Sequence, residues 1–138
     1  MHALTLAGGQ TVRRQGDARL HLSLSQRYRI VEASEALGPW KVATAGYFYE
    51  IADSETREIV TFQWHPESSS PVTTPHLQLG SGAKVEHELL GKCHIPTSRV
   101  SIEQVIRLAI ELGARPRDGW EAVLESSQAV HEQWRTWA

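Results

Sequence analysis

The chain is short of cysteine, of charge imbalance and of long apolar runs, and each shortage closes off a class of protein. Its one cysteine, Cys93, has no partner for an internal disulfide, and no C-x-x-C pair is present to seed a structural zinc site. A net charge of −2, from 14 basic and 16 acidic residues, supplies no broad field for gripping duplex nucleic acid. Arg13, Arg14, Arg27 and Arg29 fall in the first quarter, as a local basic patch or simply a solvated surface. No stretch approaches the run of about 20 apolar residues that crosses a bilayer, and the first residues hold no apolar signal core. The expectation is a cytoplasmic protein with no membrane association. Gly8-Gly9 is not followed by Lys-Ser/Thr, so no phosphate-binding loop is expected, and no G-x-S-x-G elbow occurs.

What is present suits one globular domain of 138 residues, 41% hydrophobic and 22% charged, with five tryptophans to anchor a core. Residues 1–16, punctuated by Gly8-Gly9 and Gly16, read as an N-terminal arm or a short strand. From residue 17 to 96 the pattern is that of an antiparallel sheet. Ala18, Leu20, Leu22 and Leu24 alternate with Arg19, His21, Ser23 and Ser25, and Tyr28 and Ile30 keep that parity. A continuous strand of about 14 residues exceeds the usual length, so a hairpin loop at 25–27 is expected. Residues 40–51 form an aromatic strand, apolar on both faces around Tyr47, Phe48 and Tyr49 and therefore central. A polar turn at 53–57 returns the chain as a strand over 58–65. After a Ser/Thr/Pro-rich loop at 66–74, residues 75–79 make a short strand, and 83–95 read as a ragged edge.

Residues 97–138 are helical. Ser101 and Gln104 form a capping box, and Ile102, Val105, Ile106, Ala109 and Ile110 follow at helical spacing. Gly113 and Pro116 stop that helix. Asp118 and Glu121 repeat the cap, and Trp120, Val123, Leu124, Val130, Trp134 and Trp137 line a second helix. Strands first and helices last imply an α+β fold: an antiparallel sheet with two C-terminal helices packed on one face. The other face is then free.

On that free face alternation gathers a polar cluster. Val60, Phe62 and Trp64 share one side of their strand, so Gln63 and His65 point the other way. Leu77 and Leu79 likewise leave His76 and Gln78 opposite. Cross-strand neighbours lie about 5 Å apart, close enough to converge on one ligand. A histidine pair suits general acid–base chemistry near neutral pH. Cleavage of RNA by its own 2′-hydroxyl needs such a pair plus a cation, for which Arg99 is the candidate. Tyr47 or Tyr49 would add a stacking surface or a hydroxyl. A metal site of His65, His76 and His94 is a second option, although the spacing matches no compact motif and no acidic ligand is evident. A third is a non-catalytic binding or protein-interaction face using Trp64, Tyr47 and the histidines. The plain alternative is the solvated side of an amphipathic sheet. Cys93 and His94 cannot form a dyad, since adjacent strand residues point to opposite faces.

The run Y-F-Y-E-I, a charged turn, F-Q-W-H-P, a polar loop, P-H-L-Q-L and I-P-T-S-R-V-S-I-E-Q-V-I-R-L, between Tyr47 and Ile110, resembles small bacterial proteins of the TumE-like class, toxin components of toxin–antitoxin pairs. Those carry an aromatic strand, a strand ending in a polar site, an H-x-H strand and a short helix. The resemblance implies action on RNA without a cofactor, with His65, His76 and Gln78 at the corresponding positions. It also implies an antitoxin protein as partner. Gln78 departs from the pattern, standing where the second histidine of H-x-H would be. Homodimerisation is expected if an edge strand is left open.

Overall fold

The computed structural model describes residues 1–6, 10–13, 19–35, 38–87 and 89–137; Gly8, Gly9, Arg14, Gly16 and Ala18 lie outside them. Eight strands make one sheet: β1 (His2–Thr5), β2 (Gln10–Arg13), β3 (Arg19–Glu35), β4 (Gly38–Ala52), β5 (Glu58–Trp64), β6 (His76–Leu79), β7 (Ile95–Pro96) and β8 (Arg135–Trp137). The order is β1-β3-β4-β5-β6-β7, with β2 beside β1 along β3, and β8 on β4. All pairings are antiparallel except the parallel one of β8 with β4. Helices α1 (Ile102–Glu111) and α2 (Trp120–Trp134) back the sheet, so the α+β expectation holds.

Two local expectations need correction. No hairpin interrupts residues 25–27. β3 runs 17 residues because β4 follows it back along almost its whole length, and a register shift between Arg27 and Tyr28 takes up the twist. The described residues of the N-terminal arm are two short strands laid along β3. Among the described residues of 83–95 there is no long edge strand. They hold a 3₁₀ turn at Leu90–Lys92 after another at Ser81–Ala83, and the edge is reduced to Ile95–Pro96.

Register decides the core. Leu22 sits opposite Ile51 and Leu24 opposite Tyr49; across β4, Tyr47 faces Trp64, Tyr49 faces Phe62 and Ile51 faces Val60. These side chains, with Leu77 and Leu79 of β6, form one apolar layer against Val105 and Ala109 of α1. Tyr47 and Tyr49 stack in parallel 4.7 Å apart. Buried phenols are costly unless paired. Here the Tyr49 hydroxyl donates to Gln26 at 2.7 Å, while the Tyr47 hydroxyl accepts from the Val100 N–H at 3.0 Å. Burial raises both phenol pKa values.

The capping box forms as read: Ser101 Oγ accepts from the Gln104 N–H, and the Gln104 side chain accepts from the Ser101 N–H. The cap expected at Asp118 does not form. Gly119 is the N-cap of α2, in a left-handed conformation with φ of 79° that glycine adopts without strain. Only part of the α2 stripe is interior, because Leu124 is buried while Val123 and Val130 are exposed. Trp137 has left the helix for β8, where its ring meets Trp64 and Tyr47 edge-on. A buried ion pair ties the layers: Glu103 of α1 accepts from Arg135 of β8 and from the Ser127 hydroxyl of α2.

Candidate functional site on the uncovered sheet face

The alternate residues of the same strands build the opposite face. Arg27 lies opposite Gly46, Ser25 opposite Phe48, and Ser23 opposite Glu50. Phe48 and Glu50 in turn face Gln63 and Thr61, which face His76 and Gln78. His65, two residues past Gln63, joins this side. Sequence parity thus placed His65, Gln63, His76 and Gln78 correctly on one face.

Four other expected site residues are not there. Tyr47, Tyr49 and Trp64 point into the apolar layer and are almost fully enclosed. The aromatic strand is apolar on both faces, so its alternation could not say which side was inside; pairing with Trp64 and Phe62 decides it. Arg99 also lies on the helical side, its guanidinium 4.5 Å above the Trp64 ring and 5.8 Å from that of Trp137. It cannot anchor a phosphate for imidazoles across the sheet. Arg27 takes that place, with a guanidinium nitrogen 3.4 Å from His65 Nδ1. Gly46 makes this reach possible: a Cβ there would come within 2.8 Å of the Trp64 carbonyl and 3.1 Å of that guanidinium.

The hydrogen bonds fix the imidazoles. A guanidinium only donates, so His65 Nδ1 accepts and its Nε2 carries the hydrogen. Burial first, then Arg27 and His76, lower the His65 pKa and keep the ring neutral. A carbonyl only accepts, so His76 Nδ1 donates to Thr74 at 2.8 Å and leaves Nε2 as an acceptor. The two rings therefore carry opposite tautomers. His76 is only 5% exposed, and the exposed His94 stands against it edge-on with ring centres 4.8 Å apart.

An amide chain ends on His94. Gln63 Nε2 donates to Gln78 Oε1 at 3.0 Å, and Gln78 Nε2 donates to His94 Nε2 at 3.3 Å. The Arg29–Glu67 ion pair ties the 66–74 loop to β3, and the Thr74 carbonyl ties it to His76 of β6. Half-buried Glu50 completes the face; burial and neighbouring Glu58 raise its pKa against the opposing pull of His21.

Two of these neighbours, Arg27 and Phe48, were not placed at this site in the sequence reading, and His94 entered it only as a metal ligand beside His65 and His76. Both required strand register, Phe48 that of β4 against β5 and Arg27 that of β3 against β4. Among the described residues no three His, Cys, Asp or Glu side chains are grouped to hold a metal. His65 is instead committed to a guanidinium, whose charge repels a cation. Among the described residues no helix is long and apolar enough to cross a membrane. Comparison with protein-family models, curated proteins and solved structures gives no match.

Proposed function

We propose that the uncovered face binds single-stranded RNA and does not cleave it. The observation that carries this reading is a pair of hydrogen-bonded groups, Arg27–His65 and Gln63–Gln78–His94, on the sheet surface opposite α1 and α2. Single-stranded RNA is read through unstacked bases, whose edges match amide and imidazole groups and whose faces stack on aromatic rings. Half-buried Phe48 offers such a ring, and Arg27 a phosphate contact. The TumE-like resemblance points toward RNA as well. An antitoxin-type protein partner belongs to the same reading, as a competitor for that face. Homodimerisation gains little from the β7 edge, which is two residues long.

Binding is favoured over acid–base cleavage by two physical points. A general acid must hold a proton at neutral pH, and the cause that lowers the His65 pKa removes it. His76 is too enclosed to reach a phosphodiester. Anisotropy of a labelled single-stranded RNA at low salt tests this. Arg27→Gln and His65→Ala should each weaken binding about tenfold, whereas Arg99→Gln, across the sheet, should leave it unchanged. Absence of saturable binding defeats the proposal. Fragmentation of the RNA in the presence of a chelator, lost in His65→Ala, replaces it with the catalytic alternative.

A further inference from the structure

On the other side of the sheet, α1, α2 and the loop between them line an open pocket of about 420 Å³. Its walls are apolar: Leu22 from β3, Ile106 and Ile110 from α1, and Leu124 from α2. Trp120 and the exposed Val123 form the lip of α2. The volume falls in the range that holds small molecules, where apolar walls carry a few placed polar groups. Here the polar groups are all in the 115–118 loop. Exposed Arg115 and Arg117 border it, with a single carboxylate, Asp118, beside them. Neither guanidinium has a hydrogen-bond or ion-pair partner among the described residues, whereas Arg27, Arg29, Arg57 and Arg135 all have one.

An apolar hollow ending in two unpaired cations has the polarity of an anionic amphiphile. From this match we infer that the pocket binds a small free carboxylate with an unbranched or compact apolar body, which lies along Ile106, Ile110 and Leu124. The carboxylate meets Arg115 and Arg117. The site is separate from the RNA-binding proposal and does not depend on it.

Titration of the full chain with decanoate, kept below its micellar range and followed by tryptophan fluorescence and calorimetry, tests this. Saturable one-to-one binding is expected, with decanol, the neutral analogue, at least about tenfold weaker. Arg115→Gln/Arg117→Gln should weaken decanoate about tenfold and leave decanol unchanged. Val123→Trp, which fills the lip from an exposed position, should abolish binding of both. Equal affinity for decanol and decanoate in the wild type overturns the inference, as does undiminished binding to Val123→Trp. So does binding that appears only with doubling of the particle mass, which would make the occupant a second copy of the chain. If Val123→Trp fails to fold, the exposed loop pair Arg115 and Arg117 decides alone, and an unchanged decanoate affinity there sinks the idea.

Discussion

Each central strand contributes to two chemistries that touch only through the backbone. Toward the helices, Tyr47, Tyr49, Ile51, Val60 and Trp64 exclude water, and the two phenol hydroxyls are individually matched. On the opposite side, Gln63, His65, Gln78 and Arg27 are only partly covered and bond in two pairs, Arg27 with His65 and Gln63 with Gln78. The contrast shows where stability and recognition are separable. On the covered side a lost atom leaves a void or an unpaired group, whereas on the other side water can fill in.

The largest test of that contrast is Trp64→Ala against its neighbour Gln63→Ala. The first should cost about 3–5 kcal/mol and the second under about 1, read as shifts in denaturant midpoint at constant slope. Equal losses would break the comparison. Next comes Glu103→Ala, which strands the Arg135 guanidinium. About 3 kcal/mol is expected, the low end for a broken buried pair because Arg135 is still 19% open. The same pair predicts acid sensitivity. Burial alone would raise the Glu103 pKa, but the Ser127 and Arg135 hydrogen bonds outweigh it and hold the carboxyl low. A depressed carboxyl stabilises the fold above its ordinary pKa, and that contribution disappears as pH falls through the folded value.

His65 sharpens the comparison more gently. Its folded pKa lies below 6.5, so the unfolded chain takes up the proton first. Above 6.5 it contributes nothing; a penalty grows as pH falls below 6.5 and levels off past the folded value. His65→Gln should flatten that part of the stability profile between pH 7.5 and 5, leaving the part from His131, whose pKa burial also lowers. An unaltered profile would mean that the imidazole is not held as described. The smallest effect is expected from Arg99→Ala, about 0.5–1 kcal/mol for an exposed cation over an indole.

Much of the fold was readable because alternation and capping are local. Leu20, Leu22 and Leu24 mark one face without reference to other strands, and Ser101 with Gln104 marks a helix start. What was not readable depends on partners distant in sequence. Nothing local says that residues 28–35 continue β3, since that follows from their pairing with 38–44. The site was legible to the same extent. Two histidines and two glutamines followed from parity, but Arg27 entered only through a 38-residue separation and the bare Gly46 beneath it. Arg99 misled because a loop cation carries no parity at all.

The parallel addition of β8 has a consequence for how the chain comes together. Trp137 closes on Trp64 and Tyr47, so the apolar layer waits on residues 73 and 90 positions downstream. Early strands can pair, but water leaves this part of the core only when that last segment docks. Such distant closure slows folding and makes it all-or-none. A chain cut short of residue 135 would expose indole and phenol surface, and clumping of the truncated protein would reveal it.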